Sequence, residues 1–356
     1  MPEDPIIKDI DDLEIPEALS LHNHYYNDHR TVAQWHWEYR GQYPDLGVFC
    51  VIKDDNHIEA TCGAIPGDLN ISGETILTCK MENLLRHEQY PGLQRHRGLA
   101  EQLYRYTLSR AATKGCKVAW AYTGATRTLK RWGPKLVDVM YDSVVELNTP
   151  PGLRTVSRLW SRFRPVKASA KAVCSFVKRQ TAPSRRFAIK PGLAPASLIA
   201  DLFKRIRQTF PELIHIEFNE TYVRWRITEH PFIRYDTFSI YEGDTLRGFA
   251  VVNGQNKQFA YLADLVFDDD SAGVTLLSSI VDDLRKRHYL SLSYFGNMTN
   301  PVNARTFAVL RMFSAVETPN PKMAFALLAL SDAAPQDVYE VSRWHMSGLW
   351  TEGYVI

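Results

Sequence analysis

The fold of the first half of the chain is decided by residues 84–110, LLRHEQYPGLQRHRGLAEQLYRYTLSR. The stretch starts at the end of an apolar run, crosses a polar loop and reaches the segment RHRGLA at 95–100. Apolar side chains then recur at helical spacing from Leu99 to Leu108. The stretch therefore predicts a strand, a loop and the start of a helix.

The predicted helix start is suited to a phosphate group. The first backbone N–H groups of a helix are unpaired and carry partial positive charge. Gly98 leaves room for a ligand to approach them, and Arg95 and Arg97 add guanidinium groups that can hold a phosphate through two hydrogen bonds. We expect a pyrophosphate here, and an ordinary exposed basic helix start is the alternative.

The pattern Arg-x-x-Gly-x-Ala at 95–100 resembles the acyl-CoA pyrophosphate loop of the GNAT superfamily of N-acyltransferases. A buried strand at 117–123, a short helix at 125–132 and a strand at 137–145 follow in the order that this superfamily shares. The resemblance covers residues 1–145 and implies acetyl-CoA, or another acyl-CoA, as co-substrate. The residues that it implies for the diphosphate are Arg95, His96, Arg97, Gly98, Leu99 and Ala100.

The strand before the loop, at 75–86, carries further implied functions. In the superfamily this strand diverges from the next one, so the resemblance implies that Leu84 and Leu85 offer backbone groups to the pantetheine arm. Glu82 lies where related enzymes often place a carboxylate base, with His87 and Glu88 as substitutes. A charge on an exposed strand face is the alternative for Glu82.

The general acid departs from the family pattern. An amine attacks a thioester only when it is unprotonated, and the departing thiolate needs a proton donor or solvent. Many family members carry a tyrosine for this purpose at the position that Leu129 occupies here. Tyr122 is the replacement that we select, and Tyr141 is a second candidate.

Aromatic residues precede the first hairpin. In tandem members of the superfamily a similar Trp-containing segment with a following proline lies near the acceptor site, so we expect Trp37 and Tyr39 to bind substrate. Either residue could instead cover the core. The nearby His22 and His24 cannot share a helix face, and no second ligand cluster accompanies them, so we predict no metal site.

The order of elements returns beyond Ala200 as a degenerate repeat. A hairpin flanks residues 242–244, and strand, helix, strand, helix and strand follow between 262 and 330. Asp268, Asp269 and Asp270 stand where a pyrophosphate would lie, and carboxylates repel phosphate. We therefore expect only the first half to bind the cofactor.

A chain of 356 residues is long enough for two domains. We predict a GNAT-like acyl-CoA-binding domain at 1–147, a linker at 148–200 and a degenerate GNAT-like domain at 201–356. The linker holds eleven Lys or Arg residues between Arg154 and Lys190 and no acidic residue. Its helical apolar spacing predicts either packing on the domains or contact with an anionic membrane surface.

Composition indicates a soluble protein of the cytoplasm. The net charge is +2, which gives no general bias toward nucleic acid, so we consider a nucleic-acid partner unlikely. The five cysteines are scattered and never spaced as Cys-x-x-Cys, as suits a reducing compartment. The acidic N-terminus does not resemble a signal peptide, and no apolar run reaches the ~20 residues of a membrane helix.

The sequence thus predicts an α/β fold of the α+β type. We expect two tandem GNAT-like domains, each a mixed, mostly antiparallel sheet flanked by helices, with a basic helical linker. The implied activity is acetylation of a primary amine, for which an amino sugar of a surface-polysaccharide precursor is the first choice. A non-catalytic acyl-CoA-binding or membrane-docking module and a tRNA-dependent aminoacyl transferase are the alternatives.

Overall fold

The chain folds into two compact units. The structure, a computed structural model, describes residues 5–27, 29–54, 57–87, 98–124, 126–137, 140–148, 186–256, 258–320 and 323–350. The first unit comprises Met1–Val137 and Lys322–Tyr339, and the second unit comprises Asp138–Pro321 and Glu340–Ile356. Elements are numbered along the whole chain.

The first unit is built on a sheet whose strands run in the order β1-β2-β3-β4-β5-β15-β6. Only the central β4–β5 pair is parallel among these neighbours, and the others are antiparallel. The strands are β1 (Ile6–Asp9), β2 (Val48–Asp54), β3 (His57–Ile71), β4 (Glu74–Arg86), β5 (Val118–Thr123), β6 (Lys135–Val137) and β15 (Ala324–Ala329).

Helices cover this sheet and close its core. They are α1 (Ile15–Tyr26), α2 (Val32–Arg40), α3 (Leu99–Thr113) and α4 (Thr126–Trp132), with 3-10 turns at Asp12–Glu14 and Gln336–Tyr339. Helix α3 packs its apolar stripe, including Leu103 and Leu108, on β2 and β3. Helix α2 begins with a capping box in which the Thr31 hydroxyl accepts the Gln34 N–H at 3.2 Å.

The second unit repeats the design, with strands in the order β14-β7-β13-β12-β11-β10-β8. Again the central pair, β12–β13, is parallel and the neighbouring pairs are antiparallel. The strands of this sheet are β7 (Met140–Glu146), β8 (Ala188–Pro191), β10 (Tyr235–Glu242), β11 (Thr245–Asn253), β12 (Phe259–Phe267), β13 (Ser291–Asn297) and β14 (Val316–Pro319). The unit also contains the short strand β9 (Ile214–Ile216), which does not belong to this sheet. Its helices are α5 (Ala196–Thr209), α6 (Glu220–Val223), α7 (Asp270–Lys286) and α8 (Pro301–Met312), with a π turn at Arg224–Thr228 and 3-10 turns at Val341–Arg343 and Gly348–Trp350.

The predicted fold class is confirmed: both units carry a mixed, mostly antiparallel sheet flanked by helices. The compact units nevertheless depart from the predicted boundaries. Strand β7 precedes residue 147 but joins the second sheet, while β15 lies far beyond residue 201 and pairs with β5 and β6 in the first. Each unit therefore takes one strand from the other half of the chain.

The C-terminal part of the predicted linker at 148–200 belongs to the second unit. Ala188–Pro191 forms an edge strand of the second sheet, and residues 196–200 begin α5. Residues 149–185 lie outside the described residues, so the basic helices and their membrane contact stay predictions. Within the described ranges, no helix is both long and apolar enough to cross a membrane.

Candidate active site in the first unit

A cavity opens where the two central strands of the first sheet separate. Strands β4 and β5 pair in parallel register at Thr78–Lys80 and Val118–Trp120, and no register pair joins them beyond that point. A cavity of about 440 Å³ lies along their separated ends, within the size range of small-molecule sites. Its lining residues are Tyr25, Tyr26, Cys62, Met81, Glu82, Asn83, Leu84, Leu85, Tyr104, Ala121, Tyr122, Thr123, Gly124 and Leu129.

A β-bulge turns β4 toward this cavity. Side chains of a regular strand alternate between its two faces, yet five successive residues, 81–85, line the cavity. The register of β4 against β3 shifts between Thr61 and Gly63, and Asn83 has a φ of 54° in the left-handed region. A bulge of this kind leaves ladder groups unpaired and redirects side chains, so this edge of β4 is suited to hydrogen bonding with an extended ligand.

Hydrogen bonds with buried side chains hold the bulge in place. The Thr61 hydroxyl donates to the Asn83 carbonyl at 2.8 Å, and the Asn83 side-chain amide donates to the Tyr39 hydroxyl at 2.8 Å. Tyr39 is 1% exposed and passes over Gly63, where an added Cβ would lie 2.2 Å from its hydroxyl oxygen. Asn83 tolerates positive φ better than most residues, and these contacts select that conformation.

Glu82 brings a carboxylate into the cavity. It lies two residues after Lys80 on β4, so both side chains project from the same face, and the Lys80 ammonium is ion-paired with the Glu82 carboxylate. Both side chains are largely buried, at 10% and 19% exposure. The carboxylate is therefore oriented by a fixed partner and accessible from the cavity.

The opposite wall combines aromatic and apolar groups. Tyr122 lies at the end of β5, and its ring contacts Phe325 of β15 with centroids 5.5 Å apart. Leu129 of α4 is buried at 4% exposure and lines the cavity where the family pattern has tyrosine. Tyr104 also lines the cavity, and burial raises the pKa of its phenol.

Gly98 is the N-cap of helix α3 and has a φ of 93°. That conformation favours glycine, and nothing lies within 4 Å of a Cβ added there, so backbone geometry rather than crowding explains the residue. Leu99 is buried and packs in the core, whereas Ala100 is half-buried. Arg95, His96 and Arg97 lie outside the described residues, and their contact with a diphosphate stays a prediction.

The corresponding helix start in the second unit is occupied by its own side chains. Asp269 caps α7 and accepts the Ala272 N–H at 2.9 Å, as a phosphate oxygen would. Arg205 pairs with Asp268 at 2.7 Å, and Arg305 pairs with Asp270 at 2.6 Å. Asp269 therefore accepts a backbone N–H of this helix N-terminus that a phosphate could otherwise bind. The arginines partly neutralise the charge of the acidic triplet.

The second unit also packs its own C-terminal segment against the separated ends of its parallel strands. Asn297 at the end of β13 donates to the Val341 and Trp344 carbonyls at 2.8 and 3.1 Å. His345 Nε2 lies 3.3 Å from Asp264 Oδ1 on β12, and both side chains are 2% exposed. Trp344 is fully buried there, so this segment fills the space beside the separated ends of β12 and β13. In the first unit, the corresponding space beside β4 and β5 is the cavity.

The remaining predicted site residues have other positions. Tyr39 is a core residue that supports Asn83, and Trp37 is half-buried on α2; neither is among the residues that line the cavity. Tyr141 lies on β7, in the second unit. Sequence reasoning missed Tyr25 and Tyr26, which line the cavity. The signal that could have found them is a pair of adjacent aromatic residues at the end of α1, where both are exposed.

Among solved structures, the chain has the fold of GCN5-related N-acetyltransferases. It aligns with one from Kribbella flavida at a TM-score of 0.60 and 11% identity, over 92% of this chain and 71% of that chain. A tandem GNAT protein from the clavulanic acid biosynthesis pathway aligns at 0.56 and 12%, over 92% and 99%. The N-myristoyltransferase of Saccharomyces cerevisiae with bound myristoyl-CoA aligns at 0.55 and 15%, over 92% and 83%.

These likenesses are structural. No family model matches the sequence, and a sequence search of curated proteins finds no match. The comparisons therefore show a shared fold, and the chemistry has to be argued from the cavity.

Proposed function

We propose that the chain is an acyl-CoA-dependent N-acyltransferase whose active site is the cavity of the first unit. The observation that carries the proposal is the separation of β4 from β5 beside the bulge at Asn83, with the glycine start of α3 following in the chain. An extended arm can pair with the exposed edge of β4, while the helix start and Arg95 and Arg97 hold a diphosphate. The neighbours named above include proteins with bound myristoyl-CoA.

The proposed reaction is direct attack of a primary amine on the thioester. Glu82 takes the proton of the amine, directly or through water, and backbone N–H groups of the bulge stabilise the oxyanion. Tyr122 donates a proton to the departing thiolate. A covalent cysteine intermediate is disfavoured because burial raises the pKa of Cys62, the only thiol among the described lining residues, to about 12.

We propose acetyl-CoA as donor and an amino sugar of a surface-polysaccharide precursor as acceptor. The support for this acceptor is the resemblance of the sequence to tandem members of the superfamily from surface-polysaccharide pathways, together with a cavity of about 440 Å³ that contains a carboxylate. Donor choice is tested by comparing acetyl-CoA with octanoyl-CoA and myristoyl-CoA. We expect acetyl-CoA to give the highest kcat/KM, and faster turnover of a long-chain donor would reject it.

The test of catalysis is release of free thiol from acetyl-CoA with a panel of amino sugars, polyamines and peptides. Glu82→Gln should lower kcat by about 10²–10⁴-fold if Glu82 is the base. Glu74→Gln is the matched control, because Glu74 is an exposed carboxylate at the other end of β4. Equal activity of the Glu82 variant and the control would overturn the assignment of the base.

A second candidate is a module that binds acyl-CoA without transferring the acyl group. Leu129 favours it, since this buried apolar residue stands where the family pattern has a proton-donating tyrosine. The ion pair between Glu82 and Lys80 also favours it. An ammonium partner stabilises the charged form of a carboxylate, and this makes the carboxylate a weaker proton acceptor for the amine. Tight acetyl-CoA binding without thiol release for any amine would decide for this candidate.

A further inference from the structure

The charges around the cavity restrict what kind of amine can enter it. Among the described lining residues, Glu82 is the only charged side chain, and its cationic partner Lys80 lies beside the cavity rather than among the lining residues. The other polar contributors are the neutral side chains of Asn83 and Thr123 and the tyrosine hydroxyls. A phosphate or carboxylate on the acceptor would therefore meet no cationic side chain among the described residues that line the cavity.

The end of α1 adds to the same preference. Helix α1 ends at Tyr26, with Asn27 as a left-handed C-cap at a φ of 51°. The last carbonyl groups of a helix carry partial negative charge, which attracts cations and repels anions. Because Tyr25 and Tyr26 line the cavity, this negative helix end lies at its edge.

Two aromatic rings form the rim at this helix end. Tyr25 and Tyr26 are 52% and 55% exposed, and their rings meet edge to face with centroids 5.0 Å apart. The Tyr26 ring also contacts the buried His22, with centroids 4.8 Å apart. Exposed aromatic faces at a cavity rim attract cations and the C–H faces of rings, so these two tyrosines are suited to hold an amine-bearing ring.

This rim is fixed by hydrogen bonds in the turn after α1. The Asn23 side chain accepts the Arg30 backbone N–H at 2.8 Å and donates to the Arg30 carbonyl at 2.9 Å. Arg30 in turn pairs with Glu38 of α2 at 2.9 Å, where both side chains are buried. The end of α1 is therefore anchored to α2, and these contacts hold the backbone that carries the tyrosine pair.

From these features we infer that the acceptor is an amino sugar without a phosphate group, bound with its ring against Tyr25 and Tyr26 and its amine toward Glu82. The inference rests on the proposed function and makes the acceptor class more specific, because it excludes amino sugars that are linked to a nucleotide or lipid through a diphosphate. It requires the sugar ring to be electrically neutral apart from its ammonium group. A sugar phosphate would bring at least one negative charge beside Glu82 and the end of α1.

Glucosamine and glucosamine 6-phosphate are a matched pair for the test, with acetyl-CoA as donor and thiol release as readout. We expect kcat/KM for glucosamine to exceed that for the phosphate by about tenfold or more, because the phosphate would lose water in a cavity whose described lining offers it no cationic side chain. Equal or faster turnover of glucosamine 6-phosphate would overturn the inference. If neither sugar is acetylated while another amine is, the inference fails and the proposed transferase activity stands.

Substitutions at the rim supply the second arm. Tyr25→Ala and Tyr26→Ala should each raise KM for glucosamine by about tenfold and leave KM for acetyl-CoA unchanged, whereas Tyr25→Phe and Tyr26→Phe should retain most of the affinity. Leu13→Ala is the control, because Leu13 is 94% exposed and does not line the cavity. An unchanged KM for glucosamine in the double alanine variant would reject the tyrosine pair as acceptor-binding residues.

Discussion

The side-chain amide of Asn83 donates a hydrogen bond to the hydroxyl of the buried Tyr39 over 2.8 Å. This contact joins the bulge of β4, which lines the cavity, to the aromatic core of α2. Tyr39→Phe removes the acceptor and leaves the Asn83 amide buried, at a cost of about 1–3 kcal/mol in the free energy of unfolding. We expect kcat to fall as well, because the bulge loses its support.

Stability and turnover of Tyr39→Phe separate a positioning function from a purely structural one. Chemical denaturation measures the first, and thiol release at a temperature where the variant is fully folded measures the second. A folded variant with unchanged kcat would show that the hydrogen bond only stabilises the fold. Asn83→Gly, which keeps access to positive φ and loses the amide, should show the same loss of kcat.

Gly63 lies under the Tyr39 ring, and an added methyl group would have to displace it. A Cβ at this position would lie 2.2 Å from the Tyr39 hydroxyl oxygen and 2.6 Å from a ring carbon. Overpacking of this kind typically costs about 1–3 kcal/mol, so Gly63→Ala should lower the midpoint of denaturant unfolding. Gly67→Ala on the same strand is the control, because nothing lies within 4 Å of its Cβ, and equal effects would contradict the packing.

The buried ion pair between Arg30 and Glu38 should be costly to break. Its atoms are 2.9 Å apart, and the two side chains are 1% and 4% exposed. Glu38→Ala removes the carboxylate from a buried guanidinium and should reduce the free energy of unfolding by about 3–5 kcal/mol. Glu229→Ala removes the partner of Arg224 in a pair that is 61% and 59% exposed, and should change the free energy of unfolding far less, because solvent screens this pair. Similar losses in the two variants would contradict this.

His215 should make the second unit sensitive to acid. Burial, reinforced by the Arg207 guanidinium, lowers the pKa of its imidazole to about 3 from the ordinary 6.5. Between these values the unfolded chain binds a proton that the folded chain does not, so the stability is present above pH 6.5 and is lost as the pH falls toward 3. The contribution is about 1.4 kcal/mol per pH unit.

Denaturant unfolding at pH 7.5, 6 and 5 measures this dependence. His215→Gln should reduce the slope below pH 6.5 by about 1.4 kcal/mol per pH unit and leave the slope above pH 7 unchanged. Part of the slope remains, because burial also lowers the pKa of His230 and His345 to about 3. A wild-type slope that His215→Gln does not change would contradict a neutral, buried imidazole.

The local elements could be predicted from the sequence because their hydrophobic period shows directly which face is buried. The helix start at Gly98 and the hairpin strands β2 and β3 follow from such patterns. The exchange of β7 and β15 could not be predicted, since a strand has the same alternation whichever sheet it joins. The bulge at Asn83 was also missed: its conformation depends on Tyr39 and Thr61, which are distant in the sequence.

The structure brings several of the predicted site residues together. Glu82, Leu84, Leu85 and Tyr122 lie together in one cavity, although their roles stay predictions. The prediction of a single cofactor site was based on the acidic triplet at 268–270 and on the lack of a matching glycine loop there. The structure adds a second physical reason for a single cofactor site. Asp269 caps helix α7 and accepts one of the N–H groups that a diphosphate would need.

An experimental structure determined with acetyl-CoA tests the central claim most directly. The proposed active site predicts one ligand per chain, with its pantetheine arm along Glu82–Leu85 and its diphosphate at the start of α3 beside Gly98. It also predicts no ligand at the Asp269 helix start of the second unit. Acetyl-CoA bound elsewhere, or no binding in the crystal and none by calorimetry at millimolar ligand, would contradict it.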